Sequence, residues 1–416
     1  MPRLPLWCAV LLSAACGSAD AAGDRGTLAT VFDSTADTVS ARIAGDLPAE
    51  AIRHLVTEVA IAPGIDDTTL FTNVFELDVD RRGRFWVFDV GSSSIFLFGP
   101  DGGLIRRIGR KGAGPGEFQQ NGGMVVRADN GIAQWDSRNS RISFFDSSGT
   151  FVNSWPLPGG FNTSNGLVSD RSGTLYLRRP VTKPREGEIL GRMGLVRLAE
   201  GGAFADSLEP PDLPVRREVY VASVEGSTSA TSSRHAPNFY WAWTPDGEFV
   251  AAHGGNYEIV MARRGARPMV IRRSMSPVPI DAAERDFEER NIFWQMRSMD
   301  PGWSWQGPSL PTVKAPMRGL TVSRDGRIWV QVAVPSDTIP QAERPVYTDL
   351  LQPVSRHQTP SVYEVFSPDG EFLGRVALPP RARLIDADGN TVWGLDLDGN
   401  DMPAVTRWRV EPRFPE

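Results

Sequence analysis

Phe75 to Gly149 contains the same unit twice. The first copy reads FELDVDRRGRFWVFDVGSSSIFLFGPDGG and the second GGMVVRADNGIAQWDSRNSRISFFDSSG. Aligned, Asp89 falls on Asp136, Ile95 on Ile142 and Gly102 on Gly149, each pair 47 positions apart. A fixed period of this size marks repeated supersecondary units. Each copy alternates four short apolar runs with polar turns carrying Gly or Asp. That is the pattern of a four-stranded antiparallel propeller blade.

The unit recurs as a turn Gly followed shortly by an aromatic residue. The pairs are Gly83 with Trp86, Gly131 with Trp135, Gly173 with Tyr176, Gly247 with Phe249, Gly326 with Trp329 and Gly389 with Trp393. They predict an all-β, six-bladed propeller. Each Gly is expected at positive φ, where a side chain is costly. Each aromatic has the parity to pack between neighbouring blades. The run from His54 to Ala62 reads as a strand with no neighbour in chain order. Its expected place is the last blade, where it closes the ring and removes an open sheet edge. The propeller then spans 54–416.

The irregular spacing of the anchors implies insertions at 207–237, 276–315 and 333–361. The first and third are rich in polar residues and Pro and are expected to be loops. The second carries one surface helix over 280–299. Asp281 and Glu284 form a capping box, Asp286 and Arg290 an i,i+4 pair, and Asp300-Pro301-Gly302 the stop. Ala283, Phe287, Asn291 and Trp294 are expected to share its inward face, with Trp303 and Trp305 following.

Residues 1–22 read as a leader, with Arg3 before an apolar run too short to span a bilayer. Cys16 after Ser13-Ala14-Ala15 resembles the lipidation site of exported lipoproteins. The other readings are cleavage after Ala19-Asp20-Ala21 and a retained anchor. Residues 23–53 are expected to form a tether and N-terminal strands. Cys8 and Cys16 are the only cysteines, so thiol catalysis, disulfides and Cys-built zinc sites are excluded beyond the leader. The chain is expected to be exported to the periplasm or outer membrane, to touch the membrane only through the lipid, and to be a monomer. A net charge of −6 excludes the basic face that nucleic acid needs.

Residues 109–118 (GRKGAGPGEF) link the first two copies, and Asp136, Asn139, Arg141 and Ile142 follow before Phe144-Phe145-Asp146. This stretch resembles the NHL repeat and the exported six-bladed β-propeller proteins of bacteria. The resemblance implies that Asp136, Asn139 and Arg141 tie their turn to the neighbouring strand. The first copy has Asp89, Ser92 and Ser94 instead. A ring that binds a ligand or a protein partner is implied, without a reaction. Similar propellers include zinc amidating lyases and calcium lactonases, but their ligand sets do not map onto this chain. His54, His235, His253 and His357 read as scattered surface or turn residues. Asp386-x-Asp388-Gly389-Asn390 lacks the Gly and Glu of a calcium loop and reads as a hairpin turn.

Asn73, Asn121, Asn165, Asn238, Arg318 and Arg383 precede their anchor glycines by six to ten positions. They should converge at one mouth of the central channel. Either they are solvated residues of strand entries, or they bind an anionic or sugar-like ligand. No cofactor is expected; calcium is the metal that Asn and Asp oxygens would suit. Three functions fit. The first is a non-catalytic ligand- or protein-binding propeller of the cell envelope. The second is a metal-dependent, lactonase-like hydrolase or lyase acting at the mouth. The third is a scaffold presenting Trp294 to Trp305 to a partner.

Overall fold

The computed structural model describes residues 28–48, 51–62, 73–157, 166–183, 191–215, 218–347, 349, 351–397 and 402–415. The leader, Cys16 and Asn165 lie outside them.

Six four-stranded antiparallel units form the blades, three as separate sheets, one within a six-stranded sheet and two within an eight-stranded one. Their innermost strands are Val74–Val79, Asn121–Val126, Leu167–Ser169, Phe239–Trp243, Met317–Val322 and Arg383–Asp388. The second strands of blades 1 and 2, Phe85–Asp89 and Ile132–Asp136, are buried at every position. A blade covered on both faces has no solvent side, so its central strands read as apolar runs rather than alternations. The outer strands Leu104–Ile108 and Phe151–Pro156 are mostly exposed.

Ring closure follows the sequence expectation. Ile52–Ile61 pairs antiparallel with Pro403–Glu411 and completes blade 6. At Ile52 and Arg53 it also pairs with blade 5. The N-terminal strands Thr30–Ser34 and Val39–Ala44 extend the outer edge of blade 4, with Val39–Ala44 parallel to Met269–Ser274. The strands Thr30–Ser34, Val39–Ala44 and Ile52–Ile61 thus strap blades 4, 5 and 6 together.

The anchor pattern holds with two corrections. Gly131 is not the left-handed residue of its turn; Asn130 is, at φ 63°. Asn tolerates that region because its short side chain bonds locally, and here its Oδ1 accepts from Arg81 N at 3.1 Å. Phe249 does not take the aromatic role in blade 4. It lies two residues after Gly247 rather than three or four, and the period of two sends it to the other face. It packs backward on Tyr176 and Trp243 of blades 3 and 4. The position facing blade 5 is Val250, in a mixed aliphatic and aromatic cluster with Ile328 and Phe366.

The insertions differ from expectation in detail. The 207–237 segment is no simple loop: Tyr220–Val224 and Ser227–Thr231 form a hairpin. The helix spans Ala282–Met299, with Asp281 Oδ1 accepting from Glu284 N at 2.8 Å. Its buried residues are Glu284, Phe287, Glu288, Ile292 and Met296, so the inward stripe is offset from the expected one. Both glutamates are buried because cations meet them. Trp303 is 4% exposed and packs with Tyr220, Ile292 and Met296. It builds the insertion's own core and is not presented to a partner.

Candidate ligand channel

Side chains from all six innermost strands line a central cavity of about 620 Å³. It extends to the turns joining first and second strands, at Arg81, Arg127, Asp170, Arg171 and Pro245. Alternation along each strand sends every second side chain to the channel. FELDVD in blade 1 therefore places Glu76 and Asp78 there.

Glu76 is 8% exposed. Its Oε2 accepts from Asn121 Nδ2 at 2.7 Å, and Asn121 Oδ1 accepts from Gln134 Nε2 at 3.1 Å. Burial raises the Glu76 carboxyl to about 7, against the hydrogen bonds from Asn121 and the Met124 backbone. Asp78 accepts from Val126 N of blade 2 at 2.6 Å. Arg324 of blade 5 donates from Nε to Asp386 Oδ2 at 2.7 Å and from Nη1 to Val79 O at 2.8 Å. Its Nη2 also reaches Asp78 Oδ1 at 3.4 Å. One guanidinium thus joins blades 5, 6 and 1 across the channel. Burial pushes Asp386 up to about 6 and raises Asp78, while Arg324 opposes both shifts.

The opposite wall is aromatic. Arg178 stacks over Trp241 at 4.1 Å, and Trp243 lies 4.9 Å from Tyr176. Trp241 and Trp243 are half-buried and line the cavity. Trp243 Nε1 is buried without a hydrogen-bond partner among the described residues. The wall therefore sets indole rings opposite an acidic cluster.

The sequence-predicted residues stand at the other end of the strands. Asn121 is buried and holds Glu76. Asn73 is exposed, with its backbone N on Asp89 Oδ1 at 2.8 Å. Asn238 Oδ1 accepts from Phe239 N at 2.9 Å. Arg383 is exposed at the head of its strand. Arg318 sits beneath the helix rather than in the channel cavity. Glu76, Asp78, Asp386, Arg324 and Trp241 were not anticipated. The available signal was charge at alternate positions of a strand otherwise apolar, as in Glu76-x-Asp78.

Asp388 to Thr391 is the hairpin turn that its Asp-Gly pair predicted. In blade 2, Asp136 accepts from Gln119 N at 2.7 Å, Asn139 Nδ2 donates to Gly112 O at 3.0 Å, and Arg141 Nη1 to Ala113 O at 2.9 Å. These side chains bind the turn to the interblade segment 109–118. In blade 1, Asp89 takes the same place, bonded to Asn73 N and Ser92 N. His235 lies in a turn, one of the two expected placements, but is buried there at 5% exposure. Among the described residues no group of three or more His, Cys, Asp or Glu is arranged to hold a metal ion.

Residues 66–171 match the model of the family DUF5128, described as a 6-bladed beta-propeller. No curated protein matches the chain. Among solved structures, a Bacteroides fragilis protein described as exported is 12% identical over 90% of this chain and 99% of that one, at a TM-score of 0.46. A DUF4221-family member from Bacteroides vulgatus is 11% identical over 86% and 99%, also at 0.46. A catalytically inactive virginiamycin B lyase from Staphylococcus aureus is 11% identical over 83% and 88%, at 0.38. Likeness at these values does not bear on chemistry.

Proposed function

We propose that this is a non-catalytic binding propeller of the cell envelope, exported by its leader and anchored through Cys16, with a polar small molecule taken into the central channel. The observation behind it is the composition of the channel walls. The rings of Trp241 and Trp243 face Glu76, Asp78 and Asp386 across one cavity. Flat apolar faces beside convergent acceptors suit a polyhydroxy, sugar-like ligand. The carboxylates are already held by Asn121 and Arg324, which fits fixed recognition groups.

The test is intrinsic Trp fluorescence during titration with glucose, N-acetylglucosamine and galacturonate. Saturable quenching by one of them, lost in Trp241→Ala, is expected. Quenching that survives Trp241→Ala, or none with any of the three, would remove the channel from consideration. A hydrolase or lyase reading draws on one feature, the Glu76 carboxyl near neutrality inside a cavity. It requires turnover of a lactone or ester panel that Glu76→Gln abolishes.

A further inference from the structure

A second candidate site lies under the inserted helix. Two cavities of about 400 and 80 Å³ separate the helix from segment 231–235 and the start of the blade 5 inner strand. Arg234 and Arg318 line both, and no residue of either lines the channel cavity.

The two buried glutamates of the helix each meet a cation. Glu288 accepts from Arg234 N at 2.8 Å and pairs with Arg234 Nε at 2.7 Å. Glu284 pairs with Lys314 Nζ at 3.1 Å and accepts from Ser336 Oγ at 2.5 Å. Arg318 has no such partner: its Nη1 is buried without a hydrogen-bond acceptor among the described residues. Burial, and next the Arg234 charge, push its guanidinium below the ordinary range, against Tyr240 and Glu284. Beside it, His235 is 5% exposed and its Nδ1 is likewise unpartnered. Burial drops that imidazole to about 4, so it is neutral at pH 7. Asn291 and Gln295, one helical turn apart, line the larger lobe.

Arg318 is half-buried, and a guanidinium partly removed from water without a counter-charge is costly. Its planar fork matches the two oxygens of a carboxylate or phosphate. From the unmatched charge of Arg318 between two adjacent cavities, a larger and a smaller lobe, we infer that this is an anion site. A small organic carboxylate or other oxyanion would sit on Arg318, with its body in the larger lobe beside Asn291 and Gln295.

The experiment is calorimetric titration of the whole chain with citrate and, separately, inorganic phosphate, with ionic strength held by sodium chloride. At least one should bind saturably. Arg318→Met should weaken it by about tenfold or more, while Arg285→Met, exposed on the same helix, should leave it unchanged. Trp241→Ala should leave it unchanged too, which separates this site from the channel. In anion-free buffer Arg318→Met should raise the thermal midpoint, because an unmatched buried cation is gone. The inference is overturned by no saturable binding with either probe, by binding that survives Arg318→Met, or by a lower midpoint for that variant.

Discussion

Replacing Glu364 with Gln should loosen the seam between blades 4 and 5. Glu364 lies on the third strand of blade 5 and is fully buried. Its carboxylate accepts from Tyr257 Oη at 2.6 Å, Arg273 Nε at 3.2 Å and Arg375 Nη2 at 2.7 Å. The Arg273 and Arg375 side chains are 0% and 9% exposed. The amide keeps the shape and one acceptor but removes the charge facing two buried guanidiniums. Breaking a buried pair from one side costs about 3–5 kcal/mol, and the Tyr257 hydroxyl loses its charged acceptor. Unfolding entropy scales at about 2 cal/mol/K per residue. For a propeller of this length, 4 kcal/mol therefore lowers the midpoint by about 5 °C. Differential scanning calorimetry reads it. The companion is the triple replacement Glu364→Leu, Arg273→Met and Arg375→Met, which removes every charge together and should cost much less than Glu364→Gln. A midpoint loss under about 1 °C for Glu364→Gln, or a triple variant worse than the single one, would refute the reasoning that charge matching holds this seam.

Three further outcomes are expected. Glu76 has a folded-state carboxyl near 7, above its ordinary 4.5, so the folded chain binds the proton more tightly than the unfolded one. Its contribution is therefore full below pH 4.5 and declines as pH rises through 7, by about 3 kcal/mol in all. Thermal midpoints between pH 5 and 8 should fall in the parent and fall less steeply in Glu76→Gln, where the raised Asp386 and Asp78 still contribute. At the left-handed Asn130, Ala should cost about 1–2 kcal/mol more than Gly in urea melts, since Gly alone adopts that φ freely. Equal losses for the two would exclude the backbone as the cause. Expressed in a bacterial host with labelled palmitate, the full chain should take up label and Cys16→Ser should not; cleavage near Ala21 instead would leave both unlabelled.

The blades were legible because each is a local unit. Strand, Asp-Gly turn and strand lie within about twenty residues, and an aromatic such as Trp86 or Trp329 sits at a fixed offset from its glycine. The closing strand was legible for a related reason, since an unpaired strand ahead of the first blade has one economical place. The helix cap at Asp281 was local as well, but its buried face was not. Glu284 and Glu288 point inward only because Lys314 and Arg234 wait there, and a hydropathy pattern places charged residues outside. The channel failed for the same reason. Asp386 and Asp78 meet on Arg324, which is 62 positions from one and 246 from the other.

The seam between blades 4 and 5 joins these two lessons. Blades 1, 2, 3, 5 and 6 each place Trp86, Trp135, Tyr176, Trp329 or Trp393 against the next blade. Blade 4 has Val250 there, so the repeat signal is weakest where it names Phe249. The structure fills that seam with aliphatics together with Tyr257 of blade 4 against Phe366 of blade 5, and adds the Tyr257–Glu364 contact, whose partners are 107 residues apart. The N-terminal strand Val39–Ala44 then runs along the outer edge of the same blade, and Phe372 N of blade 5 donates to Thr30 Oγ1 at 3.0 Å. The junction without an aromatic anchor is thus held by long-range charge and by the strap. If that is its compensation, removing residues 30–44 should widen the midpoint loss of Glu364→Gln rather than add to it independently, because both act on one seam.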